Sequence, residues 1–206
     1  SREADYTLER TPTPMIVRRG EPLLPLAALR LQGMHNAANA MAALALAEAL
    51  ELPLAPALDA LCAFTGLPHR SQWVADVRGV RYVNDSKGTN VGATLAAVRG
   101  LAGPLVIIAG GDGKNQDFSE LRQAFRGKVR HVVLIGRDAP ALAATLADVC
   151  ATERASDMPA AVRAAQAVAQ PGDTVLLSPA CASLDMFRDY THRGDEFAAA
   201  VRSLAA

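Results

Sequence analysis

An α/β fold, a mostly parallel sheet with helices on both faces preceded by a mostly helical segment, is what this sequence predicts, and three observations predict it. The runs "PLVIIAGG", "VRHVVLIG" and "DTVLLSPA" are apolar and β-branched without alternation, the pattern of strands buried on both faces. Stretches of helical period separate them, so that strands alternate with helices four times. Four polar clusters, "NDSKGTN", "GGDGKNQD", "IGRDA" and "SPACASLD", fall at strand ends, where ligands collect in such sheets.

The elements follow in chain order. "PMIVRRGEPLLPLAALRLQG" has short apolar bursts broken by Arg-Gly and by prolines, which predicts hairpin-like strands ending at Gly33. "HNAANAMAALALAEALEL" is rich in strong helix formers, and "APALDALCAFTG" shows a second helical period ending at Gly66. Residues 1–66 offer little β structure to complete a sheet and read as the tail of a domain; residues 67–206 read as the sheet domain. There, "QWVADVRGVRYVNDS" predicts two strands joined at Arg78-Gly79, and "VGATLAAVRGL" the first helix. "FSELRQAFRG", "PALAATLADVC" and "MPAAVRAAQAVAQ" are the helices between later strands, and a last helix runs to the C-terminus.

The 206 residues are half hydrophobic, enough for one substantial core or two smaller ones. Lys plus Arg and Asp plus Glu are 21 each, so no basic excess points to nucleic acid, while a small charged substrate fits. "MAALALAEAL" is interrupted by Glu48 and too short to span a bilayer, so no membrane partner is expected. Cys62, Cys150 and Cys181 are far apart and lack CxxC spacing, which argues for a reducing cytoplasm and against a disulfide framework or zinc site. The start "SREADYTLER" has neither Met nor signal-peptide pattern and looks cut from something longer.

Each polar cluster carries two readings. "GGDGK" has exposed backbone donors and a lysine, yet Ile108 and Asn115 stand where a Walker A loop needs Gly and Ser/Thr; Lys114 is either an anion ligand or a solvated turn residue. The dinucleotide fingerprint G-x-G-x-x-G also fails there, which disfavours a Rossmann oxidoreductase. "NDSKGTN" places Asp85, Lys87 and Thr89 where a carboxylate accepts ribose hydroxyls and cationic or hydroxyl groups hold an anion; alternatively Thr89 or Asn90 simply caps the next helix. Arg70 in "GLPHR" either reaches a phosphate or is solvated. Asn36 and Asn39 lie one turn apart at a helix start, with Asn36 a candidate N-cap. The four histidines form no metal-ligand spacing, so no metal site is assigned. Trp73 and the few other aromatics read as core, and Cys181 as a small buried residue rather than a nucleophile, because no basic neighbour in sequence lowers its pKa. "LLSPACASLDMFRDYTHRG" reads from its letters as a nucleophile turn, a phosphate cradle or a substrate platform.

In order, "GMHNAAN", "GLPHR", "NDSKGTNVGAT", "GGDGK" and "LLSPACASLDMFRDYTHRG" closely resemble the Mur ligases, over Gly33 to Phe197, and "DSKGTN" with "SPACASLD" resemble their D-glutamate-adding branch. The resemblance implies a Rossmann-like C-terminal domain at residues 67–206 that binds D-glutamate, preceded at 1–66 by the remnant of a truncated ATP-binding central domain. It implies ATP with Mg2+, whose ligands belong to a part this chain lacks, and UDP-N-acetylmuramoyl-L-alanine as the substrate held by a further, missing domain. It places Asn36 and Asn39 near the adenosine, Arg70 near the phosphates, Asp85 at the ribose and Lys87 beside it. Thr89 and Lys114 would hold the α-carboxylate of D-glutamate, and Ser183 with the backbone near Tyr190 the γ-carboxylate. Arg193 matches a family arginine of structural or nucleotide-side importance. A cytoplasmic monomer, inactive alone, is the corresponding expectation; a folylpolyglutamate-type ligase fragment and a stand-alone anion- or amino-acid-binding module are the alternatives.

Overall fold

The computed structural model describes residues 4–10, 13–30 and 34–204, which fall into two compact units, Ser1–Gly66 and Leu67–Ala206. In the first, β1 (Tyr6–Glu9), β2 (Met15–Arg18) and β3 (Glu21–Pro25) form an antiparallel sheet in that order, followed by a 3-10 turn at Leu26–Ala28 and the helices α1 (Met34–Ala49) and α2 (Leu54–Ala63). The sheet is larger than the sequence suggested, because β1 is only four residues long and half exposed and so leaves no apolar signature. Gly33, the expected end of the strand pair, lies outside the described residues. Ile16, Leu24, Leu29, Ala40 and Leu44 make the core of this unit. Glu48 near the end of α1 ties the sheet to the helix, accepting from the Tyr6 hydroxyl (2.8 Å), from Arg19 (2.9 Å) and from Arg18. The Arg18 and Tyr6 hydrogen bonds hold its carboxyl down to about 2.

The second unit alternates throughout: β4 (Gln72–Val77), β5 (Val80–Asn84), α3 (Val91–Gly100), β6 (Leu105–Gly110), α4 (Ser119–Phe125), β7 (Val129–Ile135), α5 (Ala139–Leu146), β8 (Ala151–Arg154), α6 (Met158–Val168), β9 (Thr174–Leu177) and α7 (Tyr190–Ser203). The six strands run in the order β4-β5-β9-β6-β7-β8, and all neighbours are parallel except β4 with β5. β6 is buried at all six positions, as its unbroken apolar run requires, and its side chains divide by the two-residue period of a strand. Leu105, Ile107 and Ala109 face a core with Leu95, Val98, Leu121 and Leu142, while Val106 and Ile108 face one with Val162, Phe197 and Val201. Helices therefore cover both faces.

Two sequence expectations need correction. Trp73 is not core: it is 60% exposed on β4, an edge strand whose register shifts between Trp73 and Ala75. β8 was not foreseen, because "ATER" at the opposite edge has one side chain half buried and three exposed, so no apolar run marks it.

The topology also sets up the site. β9 comes last in sequence yet inserts between β5 and β6, with Leu177 opposite both Asn84 and Ile108. The loops leaving β5, β6 and β9 consequently stand side by side at one edge of the sheet.

Candidate functional site

At that carboxyl edge, three segments are joined by buried polar groups. Asn84, the last residue of β5, accepts the Ser86 N–H at Oδ1 (3.1 Å) and donates from Nδ2 to the Gly194 carbonyl of α7 (3.0 Å). The same amide lies 3.1 Å from His69 Nδ1, in the loop that precedes β4. Gly194 makes this approach feasible, since a Cβ there would stand 2.2 Å from His69 Nδ1. Arg193, wholly buried, donates from Nε to the Ser86 hydroxyl (3.0 Å), from Nη2 to the Ser86 carbonyl (2.8 Å) and from Nη1 to the Cys181 carbonyl (3.1 Å). Burial lowers its pKa to about 10, so it stays charged at neutral pH and is satisfied by oxygens rather than by a carboxylate. The Ser86 hydroxyl passes the chain on to the Tyr190 carbonyl at 2.7 Å.

Asp85 is a second joint. Its Oδ1 accepts the Ser71 N–H (3.1 Å) and its Oδ2 the Ser178 hydroxyl (2.8 Å), with Thr94 Oγ1 3.0 Å beyond. Burial raises its pKa; the hydrogen bonds and the charge of Arg70 oppose that shift. Arg70 itself is exposed, carried between His69 and Ser71, both in the left-handed backbone region at φ 61° and 45°. The Lys87 ammonium sits 4.2 Å from the centre of the Tyr190 ring, a cation–π contact.

The loop after β6 is built differently. Gly111 has φ 128°, and a Cβ on it would stand 2.1 Å from the Ala182 carbonyl oxygen, so the chain there can only be glycine. Asp112 and Ala182 exchange two backbone hydrogen bonds, at 3.0 and 2.9 Å. Gln116 clamps the same loop across the edge, donating to the Ala180 carbonyl (2.6 Å) and accepting the Val91 N–H (3.1 Å). Lys114 is exposed at the loop tip with φ 52°.

Asn90, not Thr89, caps α3, accepting from Ala93 N–H at 2.9 Å. Asp189 caps α7 through the His192 N–H at 2.7 Å. Among the described residues, the Thr89 hydroxyl, the Lys114 ammonium, the Ser183 hydroxyl and the Tyr190 and Thr191 N–H groups have no hydrogen-bond partner. Free donors at the first turn of a helix favour an anion. Size alone would not choose this edge, since a groove of about 450 Å³ opens at the opposite one. Its charges are already paired, however, Arg81 with Asp76 and Asp173 with Arg130.

Of the residues singled out in sequence, Arg70, Asp85, Lys87, Thr89, Lys114, Ser183, Tyr190 and Arg193 all come from this edge of the second unit. Asn36 and Asn39 belong to the first unit, where they line a cavity of about 240 Å³ with Leu29, Ala40, Leu61 and Phe64. Because α1 starts at Met34, Asn36 lies inside its first turn rather than at the N-cap. Burial pushes the Cys181 thiol up to about 12, which fits a packing residue rather than a nucleophile. Sequence reasoning passed over Asn84, Ser86, Gln116 and Asp112 as site-builders, although all four lie inside quoted clusters. His69 also lies inside a quoted segment, "GLPHR", but its role depends on Gly194, far along the chain.

An open, mostly parallel sheet with helices on both faces defines a Rossmann-like α/β domain, an architecture in which ligands gather at the carboxyl edge. The chain belongs to the Mur ligase family, matching the Mur ligase, glutamate ligase domain over residues 69–181. It is 53% identical over 204 residues to the UDP-N-acetylmuramoylalanine--D-glutamate ligase of Methylococcus capsulatus, covering 98% of this chain and 44% of that protein. It is 60% identical over 185 residues to the ligase of the same name from Burkholderia mallei, covering 89% of this chain and 36% of that protein. In fold it is similar to the bifunctional folylpolyglutamate synthase/dihydrofolate synthase of Yersinia pestis solved with AMPPNP and Mn ion (TM-score 0.69, 21% identity, 99% of this chain and 47% of that one). The chain therefore spans less than half the length of these curated relatives.

Proposed function

We propose that residues 67–206 are the D-glutamate-binding domain of an ATP-dependent ligase that adds D-glutamate to UDP-N-acetylmuramoyl-L-alanine, and that residues 1–66 are the end of its ATP-binding domain. The observation that carries the reading is the set of unpartnered groups at the carboxyl edge: a lysine and a hydroxyl on one side, a hydroxyl and the first N–H groups of α7 on the other. A dicarboxylate needs cationic or N–H partners at both ends. Thr89 and Lys114 take the α-carboxylate; Ser183 and the Tyr190 N–H take the γ-carboxylate. The amine is thereby left free and oriented, which is the contribution a binding domain makes to amide formation.

ATP, when bound, serves to activate the muramoyl-L-alanine carboxylate as an acyl phosphate. Arg70, an exposed guanidinium without a hydrogen bond among the described residues, suits its phosphates. Asp85 has both oxygens engaged but retains further lone pairs for a ribose hydroxyl, and Lys87 lies beside it. In the first unit, the cavity at Asn36 and Asn39 suits a heterocyclic ring with amide partners. Among the described residues no group of three or more His, Cys, Asp or Glu could hold a metal ion. Arg193 keeps the α7 N-terminus in place.

Amide-forming ligases of folate share the fold at 21% identity, whereas the relatives at 53–60% identity carry the D-glutamate name, which favours D-glutamate over the folate reading. Among the described residues no helix is long and apolar enough to cross a membrane. The test is an NMR titration of the 15N-labelled chain with D-glutamate, with L-glutamate, NADH and ATP as separate arms. D-Glutamate should move the amides of Thr89, Lys114, Ser183 and Tyr190, and Lys114→Ala should weaken the response about tenfold or more. No response to D-glutamate, or an equal response to L-glutamate, would sink the reading.

A further inference from the structure

We propose, resting on the D-glutamate reading above, that Asp112 is a positioning residue: it sets the span between the two carboxylate-holding ends of the pocket, and with it the preference for glutamate over the one-methylene-shorter aspartate. Asp112 reaches both ends without being one of the proposed ligands. Toward Lys114, its Oδ1 accepts that residue's N–H at 3.0 Å. One residue earlier, the Gly113 N–H donates to Asp138 Oδ2 at 2.6 Å. Two carboxylates thus grip successive N–H groups and hold Lys114 and Asn115 in the left-handed backbone region, at φ 52° and 59°. A lysine so held aims from a fixed base instead of wandering with its loop.

Toward Ser183, the Asp112 backbone exchanges two hydrogen bonds with Ala182, the immediately preceding residue. Beyond Ser183, Asp185 Oδ2 accepts the Arg137 N–H at 2.8 Å, and the Arg137 guanidinium returns to Asp112 Oδ2 at 3.2 Å. The segment bearing Ser183 is therefore attached to Asp112 on both sides, directly through Ala182 and through Arg137 at Asp185. The backbone bridge survives any side-chain change, so the carboxylate adjusts the span and does not create it. Dicarboxylates that differ by one methylene differ in the distance between their charged ends, so a fixed span discriminates between them. A variable one admits both.

The experiment measures the affinities of the chain for D-glutamate and D-aspartate by NMR titration or calorimetry, together with the melting temperature. The unsubstituted chain should prefer D-glutamate by about tenfold or more, the discrimination one methylene affords in a fitted site. Asp112→Ala should weaken D-glutamate far more than D-aspartate and bring the ratio to within about threefold, since misplaced anchors forfeit that fit. Asp112→Asn keeps an acceptor for the Lys114 N–H but turns an amide donor toward Arg137, so it should restore only part of the ratio, to about the level of Arg137→Ala. Should Asp112→Ala unfold, the surface variant Arg137→Ala carries the test, with an expected drop in the ratio of about threefold. Equal weakening of both amino acids, with the ratio preserved in the folded variants, overturns this inference alone. Failure of the unsubstituted chain to bind either amino acid overturns the D-glutamate reading and this inference with it.

Discussion

The two flanks of the carboxyl edge are held by opposite means. On the β5, β9 and α7 flank the contacts run through buried side chains: a guanidinium with no carboxylate, an asparagine amide with both ends engaged, and a serine hydroxyl shared by two elements. On the β6 and β7 flank, backbone meets backbone where Gly111 lacks a side chain, and the ionic contacts are exposed: Arg137 is 64% and Asp112 26% accessible. A buried polar joint is stiff, because breaking one bond strands its partners away from water. An exposed ion pair over a backbone bridge is adjustable, because water replaces what is lost. The first flank therefore maintains the structure, and the second is where recognition can be tuned.

The largest expected effect breaks the stiff flank. Arg193→Met leaves the Ser86 and Cys181 carbonyls buried without a donor, which costs about 2–4 kcal/mol at about 1–2 kcal/mol for each stranded acceptor, a loss that the relieved desolvation of the guanidinium offsets in part. The urea midpoint should fall with the slope unchanged. Arg193→Lys should recover only part, since one ammonium cannot span three acceptors set for a planar fork. Next in size is Gly194→Ala, at about 1–3 kcal/mol for overpacking against His69. Adding His69→Ala removes the atom in conflict, so the double variant should lose less than the sum of the two single losses. Additive losses would show that the contact does not govern this joint.

The same contrast explains what could be read in advance. Buried strands announce themselves by unbroken apolar runs, and β6, β7 and β9 were legible on that ground; β1 and β8 are short and exposed, so their residues carry no such signal. The polar clusters were legible as loops at the carboxyl edge because they interrupt apolar runs at strand ends. The division of labour inside them was not. Ser86 and Lys87 are neighbours, yet one is buried beneath Arg193 and the other lies against the Tyr190 ring, a difference made by α7 more than a hundred residues later. Trp73 misled for a related reason: its type suggests burial, but its strand lies at the edge of the sheet.

On the adjustable flank, Arg137→Ala should change stability by only about 0–1 kcal/mol, the ordinary worth of an exposed ion pair. A loss above about 2 kcal/mol in urea unfolding would place Arg137 in the buried class and erase the distinction between the flanks.

The smallest expected effect differs in direction rather than in size, and it sets the site against the first unit. Asp85 has its pKa raised above the ordinary 3.8 by burial, so the folded chain holds that proton more tightly than the unfolded chain. Its contribution is most favourable below pH 3.8 and is lost as pH rises through the folded value, above which the carboxylate is ionised and desolvated. Asp85→Asn removes that charge, and its amide can donate to Ser178, whose hydroxyl can turn toward Thr94 at 3.0 Å. The variant should unfold at the same or a higher urea concentration than the parent at pH 7, with the advantage gone near pH 3. Glu48 has the opposite sign: Arg18 and Tyr6 hold it at about 2, so its contribution is present above its ordinary 4.5 and is lost as pH falls toward 2. Acid should therefore weaken the tie between sheet and helix in the first unit while easing the strain at Asp85. A pH series of hydrogen exchange resolves the two units by residue, and protection lost first around Asp85 instead would show that its hydrogen bonds outweigh its burial.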